Sequence, residues 1–305
     1  MMHIQAENMT KLYPQLLSAI KFGGKDLITR GKAVREVENF VLTLENPLQP
    51  TVLQANRKFN AAYAIIEALS LFMPGKAIAE DLVFYNSRME NYRNPKTKEF
   101  DGSYAERLTM YDQLRYCCEV LEEDPNTRRA VLDFYNAAHD QHESLDIACT
   151  LNMTFRIRDG KLNATTFMRG NDALWGTPYN FMMFTFLQNV MAAWLDVKIG
   201  TYTHMVGSMH IYEDKFGEAD LVIQNPDVLR ESPIAVMPKW DIQDVDLTFR
   251  EISDFFQMQK IYRQNYSTSE LDYNHLREMI TSTSLTMFWD EVVKPYADNK
   301  LAKLA

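Results

Sequence analysis

Cysteine is nearly missing from this chain: 305 residues hold three, Cys117, Cys118 and Cys149, two of them adjacent. Three thiols cannot form a disulfide framework, and the count fits a reducing compartment. Glycine and proline are scarce as well, eleven of each, together about 7% of the chain against an average nearer 12%. Extended disorder and collagen-like structure are therefore excluded. No basic block occurs, and 32 Lys+Arg against 41 Asp+Glu leave a net charge of −9, which argues against sequence-blind nucleic-acid binding. The most apolar stretch, Phe181 to Leu195, is broken by Gln188 and Asn189. At about fifteen residues it is too short to span a bilayer and reads as a buried helix. The opening MMHIQAENMTKLYPQLL lacks the charged-then-apolar layout of a secretion signal, so a cytoplasmic protein is expected. CxxC, HExxH, GxSxG and Gly-rich phosphate loops do not occur, and no metal is expected.

What is present is a hydrophobic fraction of 46% with 12% aromatics, enough for a sizeable core. Met9 to Phe22 suits a helix ended by Gly23-Gly24, and Phe59 to Phe72 another, stopped at Pro74-Gly75. Phe40 to Leu44 reads as a strand. Tyr104 to Leu121 is expected as one helix with Leu108, Tyr111, Leu114, Cys118 and Leu121 on its buried face. Ala130 to Tyr135 reads as a strand, and Ile147, Cys149, Leu151, Met153, Phe155 and Ile157 alternate along a longer one. Asp159-Gly160 marks a hairpin turn into a partner strand over Leu162 to Met168. Tyr179 to Leu195 is the apolar helix, Tyr202 to Tyr212 a further strand, and helical patterns dominate after residue 245. Strands and helices neither alternate strictly nor segregate, which favours an α+β layered fold with a mixed, largely antiparallel sheet.

The polar residues between 128 and 212 carry the chemistry. By spacing alone, Arg128-Arg129 is a solvated loop pair and Cys149 a core thiol. Arg169-Gly170-Asn171-Asp172 ends a strand, and Trp175-Gly176-Thr177-Pro178-Tyr179-Asn180 enters a helix. Such a loop beside a helix N-terminus can collect a phosphate or a polar heterocycle. His210 and Tyr212 share one strand face. The bare pattern stops at a pocket of Cys, Arg, Asp, Asn, His and Tyr.

The run from Cys149 through Arg169, Asp172, Gly176, Pro178 and Asn180 to His210-Ile211-Tyr212 resembles the thymidylate synthase family, which includes the deoxyuridylate, deoxycytidylate and cytidylate hydroxymethylases. In that family a nucleophilic Cys is followed after twenty residues by Arg and, thirty after the Asn or Asp, by His-x-Tyr, as at 149, 169, 180 and 210 here. Weaker matches lie at Thr29-Arg30-Gly31, Glu67, Asp101 to Tyr104 and Arg128-Arg129. The resemblance covers roughly residues 25 to 215 and implies one domain over 1–305, with a divergent helical region from about 225 to 305. It also implies a homodimer formed through the sheet.

The resemblance implies a one-carbon transfer to C5 of a pyrimidine nucleotide, with 5,10-methylenetetrahydrofolate as co-substrate. Cys149 would add to C6, its pKa depressed by guanidiniums around the phosphate. Arg30 and Arg169, with Arg128 and Arg129 in trans, would clamp that phosphate. Asn180 would read uracil, since an amide both donates and accepts; cytosine-specific relatives typically carry Asp there. His210 and Tyr212 would hold the sugar 3′-hydroxyl. Asp172, Trp175 and Gly176 would contact the pterin, and Glu67 and Tyr104 would organise removal of the C5 proton.

Several positions depart from the methylating members: Thr150 follows the nucleophile instead of His, Gly170 replaces Ser, and Ser208 replaces an acid. Residues 78–100 contain no Trp, whereas methylating members carry one that shields the exocyclic methylene intermediate. An apolar folate-closing tail is also missing from Lys300 to Ala305. Together these favour hydroxymethylation of dUMP, an activity that within the family typically serves viruses with modified DNA. Three rivals remain. One is a thymidylate synthase in which Phe84 or Tyr85 replaces the Trp, another a dCMP or CMP hydroxymethylase, and the third a nucleotide-binding protein without turnover.

Overall fold

The computed structural model describes residues 1–54, 56–57, 59–73, 78–140, 144, 146–225, 237–265, 277, 280 and 283–293. Strand β1 (Met2–Ala6) leads into helix α1 (Met9–Gly23). Asn8 caps that helix by accepting from Lys11 N–H at 3.0 Å. The helix stops where expected, because Gly24 packs so closely that a Cβ there would lie 2.6 Å from Ile20 O and 2.8 Å from Arg35 Cγ. Strands β2 (Lys25–Thr29) and β3 (Lys32–Leu44) form a hairpin. Its turn, Arg30-Gly31, has φ of 47° and 74°, the left-handed pair that a tight hairpin requires. The strand expected over Phe40 to Leu44 is thus the buried end of a much longer one.

Helices α2 (Ala61–Ser70) and α3 (Ala79–Tyr85) follow; the Pro74-Gly75 stop lies outside the described residues. The single helix expected over Tyr104 to Leu121 is two, α4 (Tyr104–Met110) and α5 (Gln113–Glu123). Asp112 takes a left-handed φ of 48° between them, and Tyr111, expected on the buried face, is 72% exposed. Then come β4 (Val131–Asp133), the short α6 (Ala137–Asp140), β5 (Thr150–Arg158) and β6 (Lys161–Asp172). The last two are joined at Asp159-Gly160 with φ of 52° and 69°. Helix α7 (Thr177–Trp194), β7 (Lys198–Tyr212), α8 (Phe216–Gln224) and α9 (Val245–Asn265) complete the elements that bear on the site.

The sheet order is β1-β3-β7-β6-β5-β4, with β2 paired to β3. Four pairings are antiparallel and two, β1–β3 and β6–β7, are parallel, so the mixed, largely antiparallel α+β expectation holds. Helix α7 is buried nearly all round, which explains its unbroken apolar run. Beneath it sits a buried polar chain on β6 and β7. Asn171 bonds His204 Nε2 at 2.8 Å, His204 Nδ1 bonds Tyr202 OH at 2.8 Å, and Tyr202 donates to Thr166 Oγ1 at 3.1 Å. Burial drives the His204 pKa down to about 3, so the ring is neutral and serves as a relay of hydrogen bonds. Trp194 and Trp240 both donate to Thr248 Oγ1, at 3.0 and 3.2 Å, pinning α9 against α7. Among the described residues no helix is long and apolar enough to cross a membrane.

Helix α4 is tied to the short helix α6 beyond β4 by a buried ion pair, Arg107 with Asp140, whose side chains are 6% and 1% exposed. Arg107 also donates to Phe134 O and Asp101 O. Removing one partner of such a pair strands a buried charge. Arg107→Met is therefore expected to lower unfolding free energy by about 3–5 kcal/mol, measured by urea denaturation.

Candidate active site

Cys149 ends up beside Arg169 because of strand register. In the β5–β6 hairpin Thr150 pairs with Met168, and Arg169 N–H donates to Cys149 O at 2.9 Å. A twenty-residue separation is simply the length of that hairpin. An irregularity between Thr150 and Asn152 breaks the alternation at this point, as bulges beside active sites do. Cys149 therefore precedes the strand and is half-buried, not a core thiol as spacing alone suggests. Cys117 and Cys118 are buried on α5, where burial pushes both thiols up to about 12.

The Arg169 guanidinium is held by the carbonyls of Ala148 and Ile147, both at 3.0 Å, and its Nη2 donates to Cys149 Sγ at 3.5 Å. Contrary to expectation, the thiol is not depressed. Burial raises it, Asp146 adds to the rise, and Arg169 and Arg30 pull it down. Arg128 and Arg129, expected to strengthen that field, are exposed and line a separate surface hollow with Glu123, Asp124 and Asn126. They are not among the residues around Cys149 in this chain.

A cavity of about 350 Å³ brings together Arg30, Glu67, Tyr104, Cys149, Arg169, Asp172, Trp175, Gly176, Asn180, His210 and Tyr212. Every other residue to which the resemblance gives a catalytic or binding role is therefore in one place. A second lobe of about 190 Å³ shares Glu67, Tyr104, Cys149 and Asn180 and continues over Ile78, Leu82, Phe100 and Met183. Arg30 reaches the rim from the β2–β3 turn, and His210 pairs with Asp172 across β6 and β7. His210 Nδ1 lies 3.3 Å from Ser208 O, and the side chain lines the cavity.

Asp172 Oδ1 accepts from the Leu174 and Trp175 N–H groups at 2.8 and 3.1 Å, shaping the turn into α7. Gly176 tolerates no side chain: a Cβ would strike Asn171 Oδ1 and come within 3.0 Å of Asp172 O. Gly176 O accepts from Asn180 N at 2.9 Å, fixing Asn180 in the first helical turn. Asn180 Nδ2 donates to Met168 Sδ at 3.2 Å, leaving its second N–H and its carbonyl for a ligand. Trp175 forms one wall, with Arg88, Arg57 and Lys215 at 3.9, 5.1 and 5.7 Å from the ring centroid. Its buried Nε1 has no hydrogen-bond partner among the described residues.

Glu67 Oε1 accepts from Tyr63 OH at 2.7 Å, while its buried Oε2 has no partner among the described residues. Burial raises this carboxyl to about 7, against the opposing pull of Tyr63. Tyr104 OH donates to Thr150 Oγ1 at 2.8 Å and accepts from Thr150 N at 3.1 Å, so Thr150 orients the phenol. Burial raises the Tyr104 pKa, which keeps it a hydrogen-bond donor. Neither Phe84 nor Tyr85 lines either lobe; the Tyr85 hydroxyl bonds Gln259 on α9. Neither therefore stands in the cavity wall where a shielding Trp would be replaced.

Sequence reasoning gave Tyr63, Met168 and Asp146 no role at the site and named Asn171 only as part of the loop that ends a strand; all four are in the cavity wall. Asp146 falls on no period or motif that the sequence displays; it stands three residues before Cys149, and the folded cavity reveals it.

Because Glu67 binds a proton more tightly folded than unfolded, its contribution to stability is full below its ordinary pKa of 4.5 and is lost as pH rises through about 7. Glu67→Gln, which cannot ionise, is expected to gain on the parent by up to a few kcal/mol between those limits. Urea unfolding at pH 4.5, 6 and 8 measures it; a pH-independent difference contradicts the assignment.

Comparison with known proteins agrees with this geometry. The thymidylate synthase family model matches residues 57–271. A deoxyuridylate hydroxymethyltransferase of Bacillus phage SP01 is 31% identical over 224 residues, 68% of this chain and 58% of that protein. A deoxyuridylate hydroxymethyltransferase of Pseudomonas phage M6 is 28% identical over 241 residues, 75% of this chain and 68% of that one. A putative thymidylate synthase of Methanothermobacter marburgensis is 26% identical over 230 residues, 73% of this chain and 98% of that protein. This chain thus spans less than two thirds of the length of the SP01 protein. With 215 residues matched and Cys149, Arg169, Asn180, His210 and Tyr212 gathered in one cavity, the chain belongs to the thymidylate synthase family.

Proposed function

We propose that this chain is a homodimeric hydroxymethyltransferase converting dUMP to 5-hydroxymethyl-dUMP, with methylenetetrahydrofolate supplying the one-carbon unit. The observation that carries the reading is the wall built by residues 78–100. It offers Ile78, Leu82, Asn86, Arg88, Met89, Tyr92 and Phe100 to the two lobes and no indole, so water has access where the methylating members exclude it. The two phage relatives named as deoxyuridylate hydroxymethyltransferases support the same choice.

In this reading Cys149 Sγ adds to C6 of the uracil and loses its proton as the nucleotide phosphate gathers Arg30 and Arg169 about it. Arg128 and Arg129 of a second copy complete the clamp, the two copies meeting through their sheets. Asn180 donates its free N–H to O4 and accepts from N3–H, with its other N–H already on Met168. His210 and Tyr212 hold the sugar 3′-hydroxyl. Asp172, Trp175 and Gly176 receive the pterin. The C5 proton leaves through water ordered by Glu67 and Tyr104, for which a carboxyl poised near 7 is well matched. The enzyme is a single domain over 1–305, with its divergent region beyond about 225, and works in the cytoplasm, that of the host if it is viral. It needs neither metal, membrane nor direct nucleic-acid contact.

Incubation with methylenetetrahydrofolate and equimolar dUMP, dCMP and CMP, followed by mass spectrometry of the nucleotides, tests the proposal. The expected product is dUMP heavier by CH2O. A gain of CH2 contradicts the water-access argument, and a modified cytosine nucleotide contradicts the base assignment. Asn180→Asp is expected to lower kcat/KM for dUMP by about 10–100-fold and to raise the dCMP:dUMP ratio.

A further inference from the structure

Asp146 stands three residues before Cys149 and lines both lobes of the cavity, together with Glu67, Tyr104, Cys149 and Asn180. Its position is fixed from two sides. The Asp146 N–H donates to Ser144 Oγ at 3.0 Å, and the Gly102 N–H donates to Asp146 Oδ2 at 2.9 Å. A Cβ at Gly102 would lie 2.9 Å from Asp146 Oδ1, so the absence of a side chain there makes room for this carboxylate. Arg107, the cation that faces it, is already paired with Asp140, and Asp101 is the other nearby charge. Burial holds the Asp146 carboxyl above its usual range, eased by the Gly102 N–H. The proposed mechanism so far gives it no task, and its charge raises the Cys149 thiol, the opposite of what forming the nucleophile requires. A carboxylate kept at that cost beside the sulfur belongs to a later step.

We infer that Asp146 is the general base for the hydration step, taking the proton of the water that attacks the exocyclic methylene carbon. This rests on the hydroxymethyl reading above. In the step, the water oxygen bonds to the methylene carbon and its proton passes to the Asp146 carboxylate. The π pair of the exocyclic double bond moves toward C5 and O4 as an enolate. That enolate re-forms C5=C6 and expels the Cys149 thiolate. Tetrahydrofolate and the C5 proton have left earlier, so no oxidant or reductant enters. Glu67 and Asp146 then divide the work: the first serves loss of the C5 proton, the second gain of hydroxyl.

Asp146→Asn tests this, since its amide oxygen can still accept from Gly102 N–H. Three readouts are compared with the parent: tritium release from [5-3H]dUMP, the hydroxymethyl product, and capture of the methylene intermediate by 2-mercaptoethanol, a nucleophile that needs no base once ionised. Tritium release is expected to persist within a few-fold. Hydroxymethyl product should fall by about 100-fold or more, with a thiol-captured nucleotide in its place. A parallel fall in tritium release and product overturns the inference, as does product at the parent level. Covalent capture of 5-fluoro-dUMP reports whether the variant still builds its site, and its loss assigns Asp146 to an earlier or structural role. If the parent enzyme itself gives no CH2O gain, the underlying reading fails first.

Discussion

The hydrogen-bonded register of β5, β6 and β7 is the constraint on which the site depends. β5 and β6 run antiparallel with Thr150 opposite Met168, and β6 and β7 run parallel with Asp172 opposite His210. The first pairing brings the sulfur of Cys149 to the guanidinium of Arg169; the second brings His210 and Tyr212 to the start of α7. A one-residue slip would turn every one of these side chains to the other face. The neutral hydrogen-bond chain Asn171–His204–Tyr202–Thr166 crosses between β6 and β7 near the same point. It leaves no buried polar group there to favour another register.

Desolvation is the second theme. It raises the Cys149 thiol and the Glu67, Asp146 and Asp172 carboxyls. A cavity that penalises charge in this way would hold an anionic ligand only with cations beside it, and Arg30 and Arg169 line it. It also suits the chemistry proposed, in which Glu67, a carboxyl raised to about 7, serves proton movement and Arg169 already stands against the Cys149 sulfur.

Where burial imposed a clear period, the sequence was readable. Helix α1 with its Gly24 stop, the Asp159-Gly160 hairpin and the all-apolar α7 follow from local chemistry. β1, β2 and the first half of β3 did not, because Lys32 to Glu38 (Lys-Ala-Val-Arg-Glu-Val-Glu) keeps no period of two and, apart from buried Val34, lies exposed or half-buried at the sheet margin. The break between α4 and α5 escaped notice because Asp112, not glycine, takes the left-handed conformation. Cys149 was misplaced by alternation alone, since the irregularity at Thr150 resets the count at the residue that matters. The site residues were recognisable as a constellation because their spacing is the length of a hairpin and of a helix–strand return. Asp146 belongs to no such period, so only the folded cavity reveals it.

The central claim is that the register makes Cys149, and neither of the other two thiols, the nucleophile toward C6. Peptide mapping after incubation with 5-fluoro-dUMP and methylenetetrahydrofolate addresses it directly. The account predicts a stable adduct on the peptide that contains Cys149, formed only when both ligands are present. An unmodified Cys149, or label on the peptide holding Cys117 and Cys118, would contradict it.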